Sequence, residues 1–190
     1  MAFDGTGYGD DGAIWGGELF VGSAVDGLER VGHLRYAVLP GDDAAARVPL
    51  QALAGFLAEL PGLAAEVAVR LQLPERFFTA QKLVEKRIQT FPTTSVGRLF
   101  DAVAALLGFT GAISFVGQAA IWLEHLARQA PLKTAYPFPW DGRELDFRPL
   151  LQAVAEERGP MEVWMGREAP PNDGGISLGQ AALAAAKRST

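Results

Sequence analysis

The chain has 190 residues, of which 49% are hydrophobic and 21% charged, so its composition is that of a globular protein with enough apolar material for a core. Seventeen Lys and Arg against 22 Asp and Glu give a net charge of -5, with no basic surplus for a nucleic-acid backbone. Cysteine is absent, which excludes disulfides, thiolate metal sites and cysteine nucleophiles and suits a reducing compartment. Met1-Ala2-Phe3-Asp4 carries neither a basic nor an apolar leader segment, and no apolar run is long enough to span a bilayer. The expectation is a single cytoplasmic domain that binds neither membrane nor nucleic acid.

Residues 1–40 read as an antiparallel β-meander. Strands are expected at 1–3, 13–15 and 18–22, with Gly16-Gly17 a bulge or turn between the last two. A further strand over 28–39 stops at Pro40-Gly41. From Asp43 the period changes, and residues 43–158 read as a helical region. Leu50, Leu53, Ala54 and Leu57 fall on one helix face, and that helix ends near Pro61-Gly62. Helices follow over 64–73 and 79–90, separated by Pro74. Ser95 is placed to cap a helix through Leu106 that Gly108 stops. Residues 117–130 and 146–158 are helical, 136–142 form an aromatic loop with two prolines, and 176–187 form a last alanine-rich helix.

Three runs carry chemistry. In Phe3-Asp4-Gly5-Thr6-Gly7-Tyr8-Gly9 a glycine-rich loop leaves a strand, so backbone N–H groups can cradle phosphate while Asp4 holds an accompanying cation. The competing reading is a hairpin turn with Asp4 as an Asx-turn residue. In the run from Pro170 to Gln180, Asp173 precedes Gly174 and Gly175 ahead of a helix, as a metal carboxylate or as a plain N-cap. In Gly97-Arg98-Leu99-Phe100-Asp101, Arg98 and Asp101 either form a solvated i,i+3 pair or face a nucleotide. His33 and His125 have no second ligand at metal spacing and read as structural.

Together these residues resemble the HypF-type hydrogenase maturation carbamoyltransferases. The shared stretches are Asp4 to Gly12, Ile14 to Glu18, Gly32 to Arg35, Leu39 to Gly41, Gly97 to Ala104, Gly117 to Ala120, Tyr136 to Phe138 and Pro171 to Gln180, in family order. The resemblance implies an α/β fold, part of an actin-like (ribonuclease H-like) ATPase domain, with the β-meander followed by a mostly helical region. It implies transfer of a carbamoyl group from carbamoyl-adenylate, made from ATP, to the C-terminal cysteine of a HypE-type partner protein. That group becomes the cyanide ligand of nickel–iron hydrogenase. It also implies a divalent metal (iron, zinc or magnesium) held by Asp4, Asp173 and two histidines of an upstream HxxxH motif. Gly5, Thr6, Gly7, Gly97, Arg98, Asp101, Gly174 and Gly175 would line the nucleotide and phosphates.

The departures are as specific. The HxxxH should precede Asp4 and is not in this sequence. The family's Ser-Gly-Gly nucleotide loop should fall between Gly159 and Pro170, where the interval is too short to hold it with its strand and helix. Val116 replaces a usual Glu and Asp42 a usual Gly. The expectation is therefore an abbreviated domain, 1–190, that binds metal weakly and is not competent alone. It would act with a complete HypF-type relative, or as a non-catalytic module or truncated paralogue.

Overall fold

The computed structural model describes residues 1–23, 25–129 and 135–158, without the side chains of 42–44. The helix expected over 176–187 and the Asp173-Gly174-Gly175 run lie outside the described residues. Three strands open the chain: β1 (Ala2–Tyr8), β2 (Ile14–Ser23) and β3 (Gly27–Leu34), each antiparallel to the one before. This is the expected meander, corrected in its details. Gly16-Gly17 do not end a strand; β2 runs straight through them.

The run over 28–39 is also two strands rather than one. After Leu34 the chain breaks at Arg35-Tyr36, and β4 (Ala37–Pro40) leaves β3 to pair antiparallel with β5 (Thr90–Thr93). Strand β5 was hidden because its Phe91-Pro92 follows a helical pattern without a gap. Pro92 is tolerated there because β2 meets β5 at Ile14↔Thr93 alone, so the ring interrupts no second ladder. A two-residue β6 (Glu144–Leu145) runs parallel to β3 and completes the order β4-β5-β2-β3-β6, with β1 on β2.

Seven helices accompany the sheet among the described residues: α1 (Asp42–Arg47), α2 (Pro49–Leu57), α3 (Pro61–Arg70), α4 (Glu75–Lys86), α5 (Val96–Leu107), α6 (Gln118–Gln129) and α7 (Arg148–Glu157). Pro61-Gly62 opens α3 instead of closing α2, since proline's missing N–H costs nothing at the first helical position. Helix α4 starts and stops four residues earlier than the spacing indicated, because Arg87 adopts the left-handed conformation that ends a helix. Helix α5 follows its sequence closely: the Ser95 side chain accepts the Arg98 N–H, and Gly108 closes it at φ 118°.

The core is built around α2, every residue of which is buried. Leu50, Leu53, Phe56 and Leu57 meet Leu34 and Leu39 from the strands, Phe77 from α4, Leu106 from α5, and Phe147 and Leu151 at α7. Each such side chain contributes about 1.5–3 kcal/mol by leaving water. Phe56 and Phe147 pack edge to face with centroids 4.9 Å apart. Helix α2 lies so close to β4 that a Cβ on Gly55 would sit 1.7 Å from the Val38 carbonyl oxygen. None of the described helices is long and apolar enough to cross a membrane.

Candidate functional site

The Asp4-Gly5-Thr6 run is not a loop that leaves a strand. It is a bulge inside one. Phe3 pairs with Gly17 and Gly7 with Trp15, so the three residues stand opposite Gly16 alone and β1 resumes to Tyr8. The reversal of direction comes later, at Gly9–Ala13, where the Gly9 N–H donates to the Ala13 carbonyl at 3.0 Å. Nor is Asp4 an Asx-turn residue: its Oδ1 accepts the very next N–H, that of Gly5, at 2.6 Å. The bulge demands a glycine opposite, because a Cβ on Gly16 would lie 2.2 Å from the Asp4 carbonyl oxygen.

Beneath the bulge sits the N-terminus of α5, prepared by three fully buried hydroxyl residues, Thr93, Thr94 and Ser95. Thr93 Oγ1 donates to the Ile14 carbonyl at 2.8 Å and accepts the Ser95 N–H at 3.0 Å. Ser95 Oγ accepts the Arg98 N–H at 3.1 Å and shares its own proton between the Asp4 and Gly5 carbonyls, each at 2.9 Å. One hydroxyl thus caps the helix and pins the bulge. Gly97 completes the contact, since a Cβ there would lie 2.7 Å from Gly5 Cα. Asp4 and Gly5 are therefore brought against Gly97 and Arg98, four of the residues singled out in the sequence. Thr6 is exposed, and Gly7 is half-buried against the Trp15 carbonyl. An exposed carboxylate and the positive end of a helix dipole lie side by side.

Arg98 and Asp101 do pair, but inside the protein and not in solvent. Arg98 Nη1 lies 2.6 Å from Asp101 Oδ2 and donates to the Ala46 carbonyl at 3.0 Å, with both side chains about nine-tenths buried. Burial pushes the Asp101 carboxyl up to about 6, against the opposing pull of the Arg98 charge. The pair links α5 to the end of α1, and Arg98 Nη2 comes to 3.2 Å from where a Gly5 Cβ would be.

A second cluster escaped the sequence. Glu18, only 2% exposed, accepts the N–H groups of Gly16 and Gly17 on Oε2, each at 2.7 Å. Its Oε1 accepts Arg30 Nη2 at 3.1 Å and the Thr94 hydroxyl. The Arg30 guanidinium stacks 4.0 Å over the Trp15 ring and donates to the Tyr36 hydroxyl at 3.0 Å. Tyr36 in turn donates to Asp11, which also accepts Trp15 Nε1 at 2.9 Å. A carboxylate in the half of β2 that is turned inward was the available signal, since an isolated buried charge costs too much to occur without partners. His33 is buried with Nδ1 2.9 Å from the Leu34 carbonyl oxygen, and His125 is an exposed residue of α6 next to Gln129.

No three His, Cys, Asp or Glu side chains converge as metal ligands among the described residues. Asp4 alone, with Oδ1 already taken by Gly5, does not fit a divalent ion, which needs several donors. Asp173, Gly174 and Gly175 lie outside the described residues.

A family model described as "Carbamoyltransferase, Kae1-like Domain, second subdomain" matches residues 1–160. The chain belongs to the HypF carbamoyltransferase family. Carbamoyltransferase HypF2 of Cupriavidus necator is 41% identical over 129 residues, 67% of this chain and 16% of that protein. Carbamoyltransferase HypF of Rhodobacter capsulatus is 38% identical over 195 residues, 99% of this chain and 24% of that protein. Among solved structures, full-length HypF in the phosphate- and nucleotide-bound form superposes with a TM-score of 0.71 at 32% identity, covering 83% of this chain and 25% of that one. The mixed α/β fold is thus a HypF fold, and the chain spans about a quarter or less of the length of these HypF proteins.

Proposed function

We propose that this chain supplies one wall of a carbamoyl-transfer site. The observation that carries the reading is the seating of the Asp4–Thr6 bulge on the N-terminus of α5, where Ser95 and Gly97 hold both to one geometry. A helix N-terminus favours phosphate, and a bulge of small residues lets a nucleotide approach the backbone closely. A similar HypF structure, of which this chain covers 25%, is described as phosphate- and nucleotide-bound. In this reading Gly5, Thr6, Gly7 and Gly97 face the phosphates, and Gly174 and Gly175 are assigned to them by the shared motif alone. Arg98 and Asp101 act from within, fixing α5 beneath them.

The reaction proposed is attack of a partner cysteine thiolate on the carbamoyl carbon of carbamoyl-adenylate. The thiol proton passes to solvent as the thiolate forms; the sulfur–carbon bond then forms, the bond from carbon to the AMP oxygen breaks, and AMP leaves with that electron pair. The acceptor would be the C-terminal cysteine of a HypE-type maturation protein, and the product would serve hydrogenase maturation. A cytoplasmic setting belongs to the same proposal, since a cysteine-free chain and a thiol acceptor both suit a reducing compartment. Asp4 and Asp173 would contribute carboxylates to a divalent metal whose remaining ligands come from elsewhere. One carboxylate at the bulge is too few for that metal, so the chain is expected to work with domains of a complete HypF-type relative.

The test mixes the chain with the carbamoyl-adenylate-forming domains of such a relative and follows carbamoylation of a peptide ending in cysteine. The expected result is transfer by the mixture, none by the chain alone, and loss with Asp4→Ala. Transfer that survives Asp4→Ala, or no transfer in any mixture, would overturn the reading. Retention of the HypE-type protein on the immobilised chain at micromolar concentration checks the partner.

A further inference from the structure

We infer that Glu18 is the positioning residue of the Asp4–Thr6 bulge. Strand β2 is flanked at Ile14 by β1 and β5, and at Glu18 by β1 and β3. One edge of β2 therefore passes from β5 to β3 within four residues, and neither neighbour supplies a ladder in between. The N–H groups of Gly16 and Gly17 fall in that gap, and both end on Glu18 Oε2. The carboxylate takes the place of a strand.

Two paths lead from it to the bulge. Through the Gly16 N–H it fixes the residue whose Cα faces the Asp4 carbonyl too closely for any side chain. Through the Thr94 hydroxyl on Oε1 it fixes the residue before Ser95, whose own hydroxyl holds the Asp4 and Gly5 carbonyls. Arg30 supplies the compensating charge and is held by Trp15 and Tyr36. All four donors need an acceptor, two on each oxygen. A glutamine would turn an NH2 group toward one of the two pairs, donor against donor. An aspartate would be one methylene short. Glu18 does not reach the exposed face of the bulge, so its effect on transfer is exerted through Asp4 and Gly5. That last step rests on the proposed carbamoyl-transfer site; the positioning itself does not.

The experiment compares Glu18→Gln and Thr94→Val with the unmodified full chain by amide hydrogen exchange, residue by residue. Exchange at Gly7, Gly16 and Gly17 is expected to accelerate at least about tenfold in Glu18→Gln, with Leu53 and Leu151 in the core unchanged. Thr94→Val removes only one hydroxyl, keeps the fold if Glu18→Gln does not, and should accelerate Gly7 in the same sense. Acceleration spread evenly over the chain, or glycine amides that do not respond, would overturn the inference. In the reconstituted transfer assay Glu18→Gln should lower kcat between about ten- and a hundredfold while KM for the cysteine peptide holds. An unchanged kcat in a working assay removes the link to transfer. An assay that shows no transfer with the unmodified chain counts against the proposed function instead, and the exchange result decides the positioning by itself.

Discussion

Gly97→Ala sets two well-understood effects against each other. In an open helix the change stabilises, because alanine is better than glycine by up to about 1 kcal/mol. In α5 the new Cβ would lie 2.7 Å from Gly5 Cα and 3.2 Å from both the Asp4 carbonyl oxygen and the Gly5 nitrogen. Carbon atoms in contact prefer about 3.5–4.0 Å, so roughly 1 Å must be found between two backbones. Overpacking of this kind costs about 1–3 kcal/mol, which exceeds the propensity gain and leaves a net loss near 1–2 kcal/mol. The internal control is Gly62→Ala, at the same second position of α3, where a Cβ meets nothing within 4 Å. That variant should gain about 0.5 kcal/mol. Thermal unfolding followed by far-UV circular dichroism should show Tm falling by roughly 2–8 °C for Gly97→Ala and rising slightly for Gly62→Ala. Equal shifts of the same sign would refute the close seating of the bulge on α5.

Arg30→Lys keeps the charge but loses the planar stack on Trp15 and the bonds to Tyr36 and Glu18, so its urea midpoint should fall by the equivalent of about 1–3 kcal/mol. An unchanged midpoint would remove Arg30 from the network. Asp101 has a folded-state value of about 6 against an ordinary 3.8, so the native state holds its proton more tightly. Stability from this group is therefore fully present below about pH 4 and lost as pH rises through about 6, with on the order of 3 kcal/mol as the upper limit. Stability measured across that window should lose this slope in Asp101→Asn, whatever the variant's absolute stability; a slope that persists assigns it to another group. Gly55→Ala drives a Cβ to 1.7 Å from the Val38 oxygen and should cost about 3 kcal/mol or more, read as a collapse of the urea midpoint.

The elements legible in the sequence were those decided locally. Helix α5 announces itself by Ser95, its apolar spacing and Gly108, and each of these acts within one turn of the residue concerned. The meander was legible for the same reason. What the sequence concealed depends on distant partners: β5 reads as strand only because Ala37–Pro40 lies beside it, and β4 leaves β3 only to meet it. At the site, the grouping of Asp4 and Gly5 with Gly97 and Arg98 was expected from shared motifs, but the bulge was not. A loop and a bulge use the same small residues, and only the pairing of Phe3 with Gly17 and Gly7 with Trp15 separates them. For Arg98 and Asp101 the sequence left a solvated pair and a nucleotide-facing pair both open, because i,i+3 spacing says nothing about what covers the helix. It is covered.

The gap in the ladder of β2 has a mechanical consequence. A continuous sheet resists shear because many backbone bonds must break together. Here the β4–β5 limb and the β3–β6 limb are each joined to β2 at its opposite ends, and a single carboxylate fills the interval between them. Displacing one limb against the other loads that side chain before it loads any row of strand bonds. The stiffness of the sheet at this point is thus set by the chemistry of one residue, and the Asp4–Thr6 bulge lies across the same interval on the opposite edge.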